Sequence, residues 1–539
     1  MAQAGHRNLW AAPPRPAKGS LLQAWGLWTP IYLNKWIPKA SLWRSLRRSL
    51  NLASSTRRVA HGAGVAALLS GVASGQAAGA DGGLVDARRF GLVCDGATDN
   101  AAALGALAAA VVAGQVVEFA PAARPCLTSR ALVARSGVTY RARPGTVTLA
   151  PTADSTADPA LFAASGVSDV LVQGLGFDGG FDRADGNSTL ATVYESAGVV
   201  FDAVAVSDTG GIGLMFSRVS RSGVRGSHFA DVGVAYRRTG RGADQRQGVA
   251  FCCGIEARVV AAQPAAGTDI VLDGIVGAAV GDLVSGDAVA TGTVVRALAQ
   301  AGAEGRVTLG RATLAPLQAG ARLTVSRNAG NFVTGSTFAR SGLDALSFSQ
   351  QVGFVADRNR CESVGGHGTG VAGACIYGAS SQGVEIADNV VLDSAGNGID
   401  LYRVGAAAVR GNEVRNSGGS GISFASGAGA AITGNTCLDN HRNGLMPEGA
   451  SQAGVFLAGG RTAQTGDPAV SDVVVSGNVL GDDQAVPTQT YGVQLQPGSE
   501  AHGLSIDTSN RMSGNARGAF GGLARDGTLA GDEQRPAGR

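Results

Sequence analysis

Residues 381–440 repeat one pattern three times, and that repeat limits what the chain can fold into more than any other feature. SQGVEIADNVVLDSAGNGIDLYRV is followed by GAAAVRGNEVRNSGGSGISFAS and then by GAGAAITGNTCLDN. Each unit holds a short β-branched run, a Gly-Asn or Asp-Asn pair, a second apolar run and a Gly-containing turn. The first two units close on a strand of the form Gly-Ile-x-Leu/Phe. Asn389, Asn412 and Asn435 recur every 23 residues. A fixed period of that size is the mark of a solenoid, in which neighbouring units must stack to bury a shared core. The apolar runs are too short for helices and their corners are Gly and Asn, so the strands are β and the solenoid is expected to be a parallel β-helix. The recurrent Asn residues are expected to stack inside it and bond backbone and neighbouring amides, a structural role.

The first 80 residues are a different kind of sequence. All five Trp and all three Lys of the chain lie within the first 43. Residues 1–80 hold ten Lys and Arg and no acid, so the remainder carries 34 basic and 41 acidic residues and the nominal +3 belongs to the leader. Arg57-Arg58 precedes a modestly apolar run from Gly62 to Gly75 that ends in Ala78-Gly79-Ala80. This order of charge, short apolar stretch and small residues is that of an export signal, and a membrane span would need about 20 apolar residues. The Arg pair resembles a twin-arginine signal. Arg47-Arg48 is the alternative pair, and the long basic preface reads as a translation start set too early. The expected address is periplasmic or secreted, with no stable membrane span after signal removal. An acidic, Lys-free remainder excludes nucleic acid as the main partner, because phosphate binding needs a basic stripe.

Past the leader the chain opens with Val85-Asp86-Ala87-Arg88-Arg89-Phe90-Gly91 and Cys94-Asp95-Gly96-Ala97-Thr98-Asp99-Asn100, then an Ala/Leu/Val run to Val112. Asp99 or Asn100 caps the expected helix, which covers the first edge of the stack. With VVEFAP, CLTSRALVARSGVTYRARPGTVTLAP and GVSDVLVQGLGFDGG, this opening resembles the N-terminal part of the pectate-lyase-like superfamily. That resemblance implies a right-handed parallel β-helix acting on polysaccharides as lyase, hydrolase or epimerase. It also admits phage tailspikes, which share the opening and would imply a trimer rather than a monomer. The expected fold is all-β, with an N-terminal capping helix and a small all-β insert. Its parts are a leader (1–80), cap and first strands (81–150), first β-helix section (151–259), insert (260–328), main repeats (329–515) and tail (516–539). The insert is read from 260–328 because the 23-residue unit vanishes there and hairpin-like alternation around Gly turns replaces it. Of seven Cys, Cys94 and Cys126 are the expected disulfide pair, and Cys361, Cys375 and Cys437 read as small buried hydrophobes.

Candidate chemistry comes from strand alternation. In Gly398-Ile399-Asp400-Leu401-Tyr402-Arg403 the apolar residues face inward, which leaves Asp400 and Tyr402 outside and Arg403 at the corner. Other turns place Ser423, Gln494, Tyr377, Asp344, Tyr236 and Arg237 on the same stripe. Asp400, Tyr402, Arg403, His367 and Asp344 are therefore the catalytic candidates, and Tyr377, Tyr236, Arg237 and Gln494 the substrate-binding ones. Acid, phenol and guanidinium together can bind an anionic sugar and move a proton. Gly366-His367-Gly368 resembles a piece of the polygalacturonase site, whose other pieces are not recognisable here. Asp178, Asp182 and Asp185 form an acidic run that could hold calcium (Ca²⁺), without a recognised loop spacing. With no Lys past the leader, an eliminating base must be Arg, His or Tyr. The expected function is a carbohydrate-active enzyme on a polysaccharide. The alternatives are a non-catalytic glycan-binding or surface scaffold, favoured by the lack of Trp past the leader, and a tailspike-like protein.

Overall fold

The computed structural model describes residues 83–153, 155, 161–180, 189–234, 247–365, 373–442, 451–460, 468–524 and 527–528. Among these, three parallel sheets of fourteen, eleven and twelve strands run along the molecule and are called here the first, second and third sheets. One coil visits each in turn, with Glu385–Ala387 in the first, Val390–Leu392 in the second and Ile399–Tyr402 in the third. The following coil lays Ala408–Arg410, Glu413–Arg415 and Ile422–Ala425 against them in parallel register. Equal positions in successive repeats therefore lie one above another, about 4.8 Å apart at the ordinary interstrand spacing.

Inward residues form the core. Ile399 and Leu401 sit in it, as do ring stacks such as Phe216 on Phe251 and Phe229 on Phe338, with centroids 4.3 and 4.7 Å apart. The expected Asn stack is present. Asn359, Asn389, Asn412, Asn435, Asn478 and Asn510 form one ladder, each passing its side-chain amide and its backbone N–H to the next carbonyl oxygen. These buried polar groups are satisfied by repetition.

The N-terminal edge is closed by the helix Ala101–Ala110, which buries Leu104, Leu107 and Ala108. Asp99 Oδ1 accepts the N–H of Ala101 at 3.0 Å, while Asn100 reaches away to Val93 and Leu127. No helix among the described residues is long and apolar enough to cross a membrane.

Between the coils that contain Val249–Cys252 and Leu346–Ser349, the chain leaves the solenoid and builds a separate six-stranded antiparallel sheet. Its strands are Ile255–Val259, Asp269–Asp273, Leu283–Ser285, Val295–Ala301, Glu304–Leu309 and Arg322–Ser326. It has its own core, including Ile270, Leu272, Val307 and Val325. The solenoid resumes in register across the interruption, since Val249 pairs with Leu346 and Gly223 with Phe332. The insert is thus extruded from one corner without shifting the stack.

Cys94 is bonded to Cys126, Cys252 to its neighbour Cys253, and Cys361 to Cys375, while Cys437 is free and buried. The last pair differs from the expectation of unpaired hydrophobes. Both are buried as expected, at 1% and 0% exposure, but their Cα atoms lie 5.9 Å apart inside the solenoid. Sequence alternation shows that each points inward and not that they meet.

Candidate functional site

The outer face of the third sheet carries one continuous row set by strand register. Ser347, Tyr377, Asp400, Ser423, Phe456 and Gln494 stand directly opposite one another on successive strands. Their places follow from alternation, because Ile376, Ile399, Ile422 and Val455 beside them face the core. Most of this row is covered: Tyr377, Ser423, Phe456 and Gln494 are all buried. Asp400 and Tyr402 remain half-buried, so the row opens to solvent where they sit.

Burial pushes the Asp400 carboxyl above the ordinary carboxylate range, and hydrogen bonds from Ser423 and Asn397 oppose that rise. Asn397 comes from the corner before the strand. Its Oδ1 accepts the backbone N–H of Ser420 at 2.9 Å and the hydroxyl of Ser451 at 2.7 Å, which leaves its amide to donate to the acid. Ser420 is held in turn, its Oγ accepting the N–H of Ala453 at 2.8 Å. Asp400 is therefore a carboxyl oriented by two donors inside a supported polar cluster.

The other candidates are distributed around it. Tyr377 is the direct cross-strand neighbour of Asp400. Gln494 lies farther along the row, and its Oε1 accepts the backbone N–H of Gln452 at 3.3 Å. Asp344 precedes the strand Leu346–Ser349 two coils away, about 10 Å along the axis, and its carboxylate accepts the N–H of Ala374 at 2.9 Å. Asp344 and Asp400 are thus on neighbouring parts of one face without forming a close pair.

Arg403 lies in a column of corner residues with positive φ, alongside Gln350, Ser380 and Ser426. That turn directs its side chain toward the insert. There its Nη1 donates to the carbonyl of Gly286 at 3.2 Å and lies 3.5 Å from the Asp287 carboxylate. The guanidinium carbon is 5.5 Å from the centre of the Tyr402 ring, and the residue is only 7% exposed. Arg403 therefore ties the insert to the solenoid beside Tyr402.

His367, Tyr236, Arg237, Asp182 and Asp185 lie outside the described residues. Asp178 belongs to the second sheet, where its carboxylate accepts the N–H of Gly180 at 2.8 Å. Among the described residues no three His, Cys, Asp or Glu side chains gather closely enough to hold a metal ion.

Sequence reasoning missed Asn397, Ser451, Gln247 and Ser347. The hydroxyl of Ser347, beside Tyr377 in the row, and the Oε1 of Gln247 are buried without hydrogen-bond partners. Asn397 and Ser420 are 23 residues apart. The repeat that exposed the Asn ladder was thus the signal for this second polar column as well.

Residues 302–466 and 369–520 match a sequence family described as a right handed beta helix region. No curated protein matches the chain. Among solved structures, the A-module of the mannuronan C-5 epimerase AlgE6 of Azotobacter vinelandii is similar at 14% identity. That match covers 84% of this chain and 100% of the other, with a TM-score of 0.49. PfbA, a surface adhesin of Streptococcus pneumoniae, is 12% identical over 82% of this chain and 93% of its own, with a TM-score of 0.43. The tailspike protein of E. coli bacteriophage HK620, in complex with a hexasaccharide, is 10% identical over 80% of this chain and 66% of its own, with a TM-score of 0.44. The solenoid is a right-handed parallel β-helix.

Proposed function

We propose that the chain is an exported protein that binds a polysaccharide on the outer face of the third sheet, with Asp400 exchanging a proton with the bound sugar. The observation that supports this most is the state of Asp400. It is half-buried, held above the ordinary carboxylate range by desolvation, and hydrogen-bonded by Asn397 and Ser423 within a polar row. A carboxyl held above its ordinary range keeps its proton more readily than an exposed one, which suits it to general acid and base work.

Elimination or epimerisation suits the spacing better than hydrolysis. A two-carboxylate glycosidase holds its acids roughly 5 to 9.5 Å apart. Two coils of ordinary spacing put the backbones of Asp344 and Asp400 about 10 Å apart along the axis, at the far end of that range. Asp344 is also committed to the backbone of Ala374. In this reading Asp400 and the phenol of Tyr402 handle the proton, and Tyr377 packs beside them. Arg403 acts by holding Tyr402 and the insert rather than by touching sugar.

A second reading rests on the same row. Tyr377, Ser423 and Gln494 are buried and Gln494 is engaged with backbone, as in a face built for stability or for binding alone. A panel of uronate-containing and neutral polysaccharides distinguishes the readings. Elimination raises absorbance at 235 nm together with reducing ends, hydrolysis raises reducing ends alone, and epimerisation changes only the anomeric NMR signals. Binding with all three silent would replace the enzyme by a glycan-binding scaffold. Export from the Arg57-Arg58 segment is tested by the N-terminus of the protein recovered outside the cytoplasm, expected near Asp81.

A further inference from the structure

We propose that Cys252 and Cys253 form a thiol-exchange site that controls how firmly the insert is held to the solenoid. Cys252 ends the strand Val249–Cys252, and Cys253 and Gly254 lead directly into the first insert strand, Ile255–Val259. A bond between adjacent residues closes a ring around a single peptide unit and restricts the backbone torsions at the point where the chain leaves the coil.

Both legs of the insert are fastened at that same point. The N–H of Gly254 donates to Gln350 Oε1 at 2.7 Å. On the returning leg, the Ser326 hydroxyl donates to the carbonyl of Gln350 at 2.7 Å. Asn328 Nδ2 reaches the carbonyls of Cys253, Gln350 and Cys252 at 3.1, 3.3 and 3.4 Å. A second attachment lies farther along the solenoid, where Arg403 holds Gly286 and Asp287 and the Thr291 hydroxyl donates to the Ser426 carbonyl at 3.1 Å. The insert is thus hinged at the cysteine pair and latched at Arg403.

The pair is also the one chemistry would open first. Cys361 and Cys375 are sealed in the core, and Cys94 with Cys126 closes a separation of 32 residues. Cys252 and Cys253 are adjacent in the chain, so their bond constrains almost no loop of the unfolded chain and the fold loses little chain-entropy stabilisation when it opens. Cys252 is buried, whereas Cys253 is half-buried. An external thiolate attacks the Cys253 sulfur, displaces the Cys252 thiolate and forms a mixed disulfide. A second thiol then attacks the external sulfur of that intermediate, releases the Cys253 thiol and leaves as the oxidised dimer of the reductant. Two electrons pass from two low-molecular-weight thiols to one protein disulfide, and the two cysteine sulfurs end protonated.

The test is a graded reduction of the full chain with dithiothreitol, read by alkylation and mass spectrometry, with hydrogen exchange followed in parallel. Cys252 and Cys253 should be alkylated before the other two pairs. Exchange in 254–259, 286–292 and 322–328 should then quicken at least tenfold, while the strand Ile422–Ala425 keeps its protection. C252S/C253S should show the same exchange in oxidising buffer, and if that variant fails to fold, the reduced wild-type protein carries the test alone. Reduction of this pair only on global unfolding would overturn the proposal, as would unchanged insert exchange after verified reduction.

Discussion

Replacing Asn412 by Ala isolates the interaction that joins one coil to the next. Asn412 is 1% exposed, and its Oδ1 accepts both the backbone N–H and the side-chain amide of Asn389, at 3.0 and 2.9 Å. Its own amide donates to the carbonyl of Ile386 and to Asn435 Oδ1, each at 2.9 Å. Asn412→Ala leaves two donors of Asn389 buried without an acceptor, although the Asn389 amide keeps its bond to Ala356. Each stranded donor costs about 1 to 3 kcal/mol, which gives an expected loss of about 4 kcal/mol. That is a large share of a typical folding free energy, and in a repeat array it falls first on the coils that touch the defect. Native-state hydrogen exchange is the suitable assay, because it reports the opening free energy of the Asn389 amide directly. That free energy should drop by about the full amount, while amides near the N-terminal helix change little. A loss below about 1 kcal/mol at Asn389 would refute the reasoning, since the ladder would then be an ornament of packing that was already sufficient.

Asp400→Asn should lower turnover on a cleaved or epimerised polysaccharide by about 10²- to 10⁴-fold, the usual weight of a general acid or base, with unchanged circular dichroism. Because desolvation raises the folded carboxyl above its unfolded value, the acid's contribution to stability is complete below the unfolded pKa and is lost as pH rises through the folded one. Thermal melts should accordingly show the Asn variant gaining on wild type as pH rises above the ordinary carboxylate range, and a constant difference would contradict the burial argument. Arg403→Ala removes a charged donor from Gly286 and Asp287 and should speed hydrogen exchange across 286–292, at a cost of about 2 kcal/mol locally. The C94A/C126A double variant opens a loop with a separation of 32 residues and should lose about 4 kcal/mol in urea unfolding.

The fold was legible because its information is local and repeated. Each 23-residue unit states its own strands and corners, and a constant coil rise stacks like upon like. The same arithmetic reached part of the site, since Tyr377, Asp400 and Ser423 are spaced by 23 and stand in register. It failed wherever a partner comes from a different phase of the repeat or from outside it. Arg403 meets Gly286 across 117 residues, through an insert that carries no trace of the period. Cys361 and Cys375 sit at unlike positions of one coil, so their meeting depends on how the corner folds. Asp344 illustrates the converse error: it shares the face with Asp400, but it falls before its strand and not within the row.

Alternation tells which side of a strand a residue faces and says nothing about what lies over that side. That gap matters most at Asp400. On a bare outer face an aspartate is solvated and keeps an ordinary pKa, as does any exposed carboxyl. The acid is held up instead by burial within the row, and it is held back by hydrogen bonds from Ser423 on the next coil and from Asn397, itself braced by Ser420 and Ser451. None of those braces is a strand residue of the coil that carries Asp400. The chemical character of the site is therefore a property of the stack and its corners, which is why substitutions at Asn397 and Ser451, although neither lies in the row, are expected to retune Asp400.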